Sequence, residues 1–385
     1  MRDPRLNKLA KILVHYSCKI KPGEVVQLAS DIIASPLIEA VYEELLKAGA
    51  NVDLRLSSEA LSDIFYRTAS DDQLSWTSPT LKYAYETIDA RIAFWAETNT
   101  KSLSKVDPER LGKASAGRRE LMTISMQRAA GPDFRWCGTL FPTQASAQDA
   151  EMSLSQYEDF VFKAGLLDLD DPIAAWQEVE RQQQKAVDYL NGVNRLHFQT
   201  ANGTDLEVDV EGMKWINCCG KSNFPDGEVF SGPNLKAADG GINGIVRFSF
   251  PAVHNGHEVE GVELVFEKGR VKEAKATKNE DFLKAMIAQD AGSSTVGEIA
   301  IGTNYQIQTC TKNTLFDEKV GGTFHLALGA GYPETGNSNE SGLHWDMVCD
   351  LRPGGTIKAD GEIISQDGLF TKEDWPAPTS LQIKT

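Results

Sequence analysis

KPGEVVQLASDIIASPLIEAVYEELLKAGANVDLRL, residues 21–56, reads as strand, helix, strand. A Lys21-Pro22-Gly23 turn delivers the chain into a short buried strand, GEVVQLAS. Pro36 opens a helix, PLIEAVYEELLKAGA, that ends at a glycine where a C-cap is expected. NVDLRL is the next strand. Further on, ARIAFWAE and RWCGTLFPT have the same strand texture, with long helices expected over Ser104–Ala129. This β-α-β alternation implies a mostly parallel sheet flanked by helices. No G-x-G-x-x-G opens a helix after a strand and no phosphate-binding G-x-x-x-x-G-K-[ST] occurs, so no motif supports a nucleotide cofactor.

Two helical segments, SLSQYEDFVFKAGLLD and DPIAAWQEVERQQQKAVDYLNGV, close this half, and the texture changes after Val193. RLHFQTANGTDLEVDV is two alternating strands around Asn202-Gly203, a strong hairpin signal. GIVRFSF and VELVFEKGRVKEAKA continue the β pattern, the latter turning near Lys268-Gly269. One helix, DFLKAMIAQDAG, interrupts a remainder of strands and Gly-rich loops. The expected organisation is an α/β domain over residues 1–190 with a mostly parallel sheet. A β-rich α+β metal-binding domain is expected over residues 191–385.

At 385 residues two domains are the natural expectation. An apolar fraction of 41% with 24% charged residues describes an ordinary globular chain. A formal charge of −16, with Lys and Arg scattered, argues against nucleic-acid partners, because phosphate contacts need clustered cations. No apolar run approaches the roughly 18 residues of a membrane span. MRDPRLNKLAKILVHY carries charges throughout and reads as an amphipathic helix and not a signal peptide, so a cytoplasmic protein is expected. Six cysteines, two of them the adjacent Cys218–Cys219 and none in a Cys-x-x-Cys, are expected to be reduced thiols.

The chemistry concentrates in the second half. His-x-Asp on an extended strand puts His344 and Asp346 on one face and Trp345 on the other, where the indole can anchor the strand in the core. His325, in GGTFHLALG, lies between glycines that let backbones approach closely. Glu228 in FPDGEVF and Glu298 in VGEIAIG are acids set among apolar residues, and a buried carboxylate needs a cation or several donors. Glu228, Glu298 and Asp346 with a bridging hydroxide would balance two divalent cations. His254 and His257 bracket Asn255-Gly256, a turn dipeptide, and are expected at a solvated hairpin tip. Asp317-Glu318-Lys319, just before His325, could orient the ligating histidines or form a solvated salt bridge.

FPDGEVF, GEIAIGTN, NTLFDEK, GTFHLALG, GYPETG and SGLHWD, in this order, resemble the aminopeptidase T and aminopeptidase S group of bacterial metallo-aminopeptidases. The resemblance covers essentially the whole chain. It implies metal ligands at Glu228, Glu298, His325, Tyr332, His344 and Asp346, with Glu298 and Tyr332 in catalytic roles. Tyr332 comes from the resemblance alone. Also implied are two divalent ions, peptide substrates with a free N-terminus, and a homodimer. An oxygen and imidazole donor set suits Zn, Co or Mn, and Mg less well. The alternative is a mononuclear Fe(II) ring-cleaving dioxygenase using His325, His344 and Asp346, since enzymes that cleave dihydroxypyridine rings resemble this C-terminal fold.

Overall fold

The Lys21-Pro22-Gly23 turn feeds strand β1, Val25–Asp31, and the following helix spans Ser35–Lys47. Gly49 ends that helix with φ +81°, and a Cβ there would lie 3.1 Å from the Pro22 side chain. Only glycine fits this return of the chain into β2, Asn51–Ser57. The computed structural model describes residues 2–378. They divide into two compact units: residues 2–173 with 220–224, and residues 174–219 with 225–378. The expected boundary at 190 falls at the end of helix Pro172–Leu190, whereas the division between the two units falls at the start of that helix.

In the first unit β1, β2, β3 (Ala90–Trp95) and β4 (Arg135–Leu140) are joined by a two-residue strand, Asn223–Phe224. Every pairing in this five-stranded sheet is parallel. The long helix expected from Ser104 begins instead at Pro108 and runs to Ala129. Asp107 accepts a hydrogen bond from the Glu109 amide at 2.9 Å, and Pro108 sits in the first turn, so cap and proline together set the start.

The second unit is antiparallel. It contains β5 (Arg195–Gln199), β6 (Asp205–Asp209) and β7 (Ile216–Cys218); β8 is the Asn223–Phe224 strand of the first unit. Then follow β9 (Glu228–Ser231), β10 (Ile242–Arg247), β11 (Ala252–His254), β12 (His257–Val259), β13 (Glu263–Glu267) and β14 (Arg270–Lys275). After helix Glu280–Ile287 come β15 (Val296–Gly302), β16 (Thr323–Gly329), β17 (His344–Asp350), β18 (Thr356–Ala359), β19 (Glu362–Gln366) and β20 (Leu369–Phe370). An eight-stranded sheet runs β14-β13-β10-β6-β5-β18-β19-β20, and a five-stranded sheet runs β17-β16-β15-β9-β7. The two share one apolar core, in which Phe198 of β5 meets Phe324 of β16 with ring centroids 4.3 Å apart. The hairpins at Asn202-Gly203, Asn255-Gly256 and Lys268-Gly269 turn where the dipeptides place them. Among the described residues no helix is long and apolar enough to cross a membrane.

The five-stranded sheet owes its two-faced character to a break in alternation. Val296, Ile299 and Ile301 of β15 all join the core, which strict period two does not allow. The register against β16 shifts between Val296 and Glu298, leaving Gly297 as the extra residue of a bulge. The bulge turns Val296 inward and Glu298 outward. A Cβ on Gly297 would fall 2.2 Å from the Ala330 carbonyl oxygen. Gly297→Ala is therefore expected to lower the unfolding free energy by about 1–3 kcal/mol, read from the urea midpoint. A wild-type midpoint would contradict the bulge geometry.

Candidate metal centre

One face of the five-stranded sheet belongs to the core and the other carries the chemistry. In β16, Phe324, Leu326 and Leu328 pack inward, which sends His325 to the opposite face. In β17, Trp345 and Met347 pack inward, which sends His344 and Asp346 the same way. Val229 of β9 is a core residue, and its neighbour Glu228 faces the site. Glu298 and Asp346 flank Ala327 across the sheet, while Ala300 pairs with His325. Both alanines are fully buried, and their small side chains leave room over the sheet for the acids and imidazoles.

Glu228, Glu298, His325, His344 and Asp346 come together there. The His325 Nε2 atom lies 3.4 Å from Glu298 Oε1, 3.6 Å from Glu228 Oε2 and 3.9 Å from Asp346 Oδ1. The His344 Nε2 atom lies 3.4 Å from Glu298 Oε2 and 3.6 Å from Asp346 Oδ1. These separations exceed the roughly 2.7–3.2 Å of a good N–H···O bond. They sit near the edge, about 3.3 Å, between two donors on a tetrahedral ion with bonds of about 2.0–2.1 Å. Glu228 Oε2 and Asp346 Oδ1 are buried with no hydrogen-bond partner, so the face has open acceptors where a cation fits. Glu298 belongs to two candidate donor groups, one with Glu228 and His325, the other with His344 and Asp346.

His344 is held in a defined tautomer. Its Nδ1 is 2.9 Å from the Ala330 carbonyl, which only accepts, so Nδ1 carries the proton and donates it. Its Nε2 is thereby turned to the carboxylates. Burial alone would lower both imidazoles, but Glu298 with the other carboxylates raises His325 to about 9 and His344 to about 10. Burial alone would raise Glu298, and the two imidazoles outweigh it, holding the carboxyl at about 2.

Tyr332 lies at the margin. It is 40% exposed, and its ring packs edge-on against His344 with centroids 5.4 Å apart. Burial, with the nearby carboxylates, pushes the phenol well above its ordinary value. Among the described residues, no hydrogen bond joins the run 317–319 to either histidine. Asp317 instead accepts from the Thr311 amide at 2.6 Å and its hydroxyl at 2.9 Å. Glu318 faces His325 and Asp346, and Lys319 is buried against Glu228. Sequence reading missed Asp226, 3.7 Å from the Lys319 ammonium, and the only signal was a second acid in FPDGEVF. His254 is half-buried against Trp345, centroids 5.3 Å apart, because the β11–β12 hairpin folds over that indole; His257 is exposed, as expected of a turn. None of the six cysteines forms a disulfide. A hollow of about 320 Å³, counting space open to solvent, lies beside Asp346 and Glu318 and is walled by Pro251, Ala252, Val253 and Val348.

Residues 2–370 match the family described as thermophilic metalloprotease (M29). The chain belongs to the M29 metalloprotease family. Among curated relatives, aminopeptidase 2 of Geobacillus stearothermophilus is 29% identical, covering 97% of this chain and 98% of the relative. Aminopeptidase T of Thermus thermophilus is 27% identical, covering 95% and 96%. Among solved structures, wild-type AmpT from Thermus thermophilus superposes with a TM-score of 0.83 at 24% identity, covering 96% and 99% of the two chains. The 2,5-dihydroxypyridine dioxygenase of Pseudomonas putida KT2440 shares the fold at a TM-score of 0.58 and 12% identity, covering 96% and 98%. This M29 metalloprotease is thus a peptide-bond hydrolase that works with a divalent metal, and its β-rich unit presents an acidic and imidazole donor set suited to one.

Protonated imidazoles must release a proton before they can ligate a metal. Raised histidine pKa values mean the protons are held at neutral pH and compete with the ion. Metal uptake by the stripped M29 metalloprotease at pH 7 is expected to release two or more protons per chain, and affinity is expected to fall as pH drops towards 6. Titration calorimetry in buffers of different ionisation enthalpy counts them. Uptake without proton release would remove His325 and His344 from the ligand set.

Proposed function

We propose that this M29 metalloprotease is an aminopeptidase that releases N-terminal residues from peptides through two co-catalytic ions. The ligands would be Glu228, Glu298, His325, His344 and Asp346, with Tyr332 beside them. The observation that carries the reading is the placement of Glu298: its two oxygens face two different imidazoles, each at 3.4 Å. A carboxylate so placed suits a bridging ligand, and the N/O donor set suits Zn, Co or Mn better than Mg. Two such ions, when bound, supply a nucleophilic water at neutral pH and polarise the scissile carbonyl.

The chain's own residues supply the rest. Of the two buried glutamates, one would bridge the ions and the other, Glu228 or Glu298, would accept the proton of the attacking water. Tyr332, half-exposed at the rim, can donate its phenol proton to the developing oxyanion. The carboxylate excess favours a protonated N-terminus at the mouth, which suits an exopeptidase. The apolar wall of Pro251, Ala252, Val253 and Val348 offers a place for the substrate's side chain. A homodimer, implied by the family resemblance, and a cytoplasmic location, expected from the N-terminal sequence, belong to the same reading.

The iron dioxygenase alternative needs only His325, His344 and Asp346. It leaves two more carboxylates, Glu228 and Glu298, each 5% exposed, buried against the same imidazoles without a task. The match to that dioxygenase supports the fold and not the reaction.

Metal-stripped protein should regain hydrolysis of aminoacyl-p-nitroanilides with Zn, Co or Mn and leave N-acetylated substrates intact. Glu298→Ala and His344→Ala should each lower kcat at least about 10³-fold, and Tyr332→Phe about 10²-fold with KM nearly unchanged. Full activity in either of the first two variants would refute the site. Oxygen-dependent ring cleavage with one iron per chain and no peptide hydrolysis would refute the function.

A further inference from the structure

Lys319 is 1% exposed, the only lysine among the largest fully buried side chains of the described residues. Its ammonium lies 2.5 Å from Glu228 Oε1, 2.5 Å from Glu318 Oε1 and 3.7 Å from Asp226 Oδ1. The backbone fixes the residue from both sides. Its amide donates to Phe316 O, and its carbonyl accepts from the Asn304 amide, each at 3.0 Å. An ammonium is a compact charge with three donors, and these three carboxylates hold it in its charged form. All three belong to candidate donor groups: Asp226 with Glu228 and Cys218, Glu228 also with Glu298 and His325, and Glu318 with His325 and Asp346.

The contacts divide the donors unequally. Lys319 takes Glu228 Oε1, so only Oε2 remains to face His325, at 3.6 Å. On the other side, Asp346 Oδ1 is unpartnered and His344 is preset by the Ala330 carbonyl. A divalent ion on Glu228, Glu298 and His325 would be one carboxylate away from a fixed positive charge. An ion on Glu298, His344 and Asp346 is held by groups that Lys319 does not touch. Like charges separated by one carboxylate in a buried site repel strongly.

Resting on the two-metal reading above, we propose that Lys319 is a resident cation of the metal centre. It restricts Glu228 to single-oxygen ligation and makes the position on Glu228, Glu298 and His325 weaker than the one on Glu298, His344 and Asp346. Counting Asp226 and Glu318, five carboxylates against one ammonium leave four negative charges, the complement of two divalent ions. Lys319 is thus a positioning residue: it acts through Glu228 and does not contact the reacting atoms.

The test is titration of the metal-stripped full chain with Zn²⁺ against a competing chelator, with folding checked by circular dichroism. Wild type should bind two ions with Kd values at least about tenfold apart. Lys319→Met, which keeps length and removes charge, should tighten the weaker event and bring the two within about threefold. Lys319→Arg should keep the gap, and Glu228→Gln should remove the weaker event alone. Two equal Kd values in wild type would overturn the inference whether or not the methionine variant folds. An unchanged gap in a folded Lys319→Met, or loss of the tighter event in Glu228→Gln, would overturn it too. Saturation at one ion per wild-type chain would instead take down the two-metal reading itself.

Discussion

Buried negative charge is the constraint around which the second unit is organised. Glu228 and Glu298 are each 5% exposed, and Asp346 has a buried oxygen with no hydrogen-bond partner. Taking one carboxylate out of water costs several kcal/mol unless a cation or a set of donors replaces the water. Here the replacements are two imidazoles and one ammonium, all from the same sheet face or the turn beside it. That explains why the histidines hold their protons so firmly in the metal-free chain, and why Lys319 can be buried at all. The acids also lack enough protein donors to be satisfied among themselves. A divalent cation would complete the arrangement, in keeping with membership of a metalloprotease family.

Local signals carried much of this. The Pro-Gly turns, the helix from the Pro36 region and the Asn-Gly hairpins are fixed by the conformations those residues permit, so they can be read without a fold. His344-Trp345-Asp346 was legible for the same reason, since period-two alternation on a strand needs only that the strand exist. The centre's second layer was not. Lys319 meets Glu228 across 91 positions, and Asp226 joins them from a turn. Nothing in NTLFDEK distinguishes a buried lysine from a solvated one. Tyr332 entered only by family likeness, because a tyrosine after a glycine in a loop carries no periodicity.

The bulge at Gly297 shows a subtler limit. VGEIAIG reads as a strand with Val296 and Glu298 on one face, which would have put either the valine in the site or the glutamate in the core. Inserting one glycine resolves the conflict, and both residues reach the side their chemistry demands. The sequence pattern contained the contradiction, and the structure supplies its resolution.

The same glycine ties the two halves of the site together. Gly297 backs directly onto the Ala330 carbonyl, and that carbonyl is the acceptor that presets His344. Glu298 and His344 are therefore aimed by one close backbone contact, not by two independent side-chain choices. All five donors sit on strands whose rear faces, with Val229, Ile299, Phe324 and Trp345, are packed into the core, so rotation or slippage of any one would open a cavity. Such rigidity suits electrostatic catalysis, where groups aligned in advance need not reorganise during reaction. Tyr332 is the exception. It follows the strand in a loop, half-exposed, with its ring resting on His344 and Phe230. On the proposed function, a fixed sheet face with one adaptable phenol at its rim would keep its donors in place while the rim adjusts to different peptides.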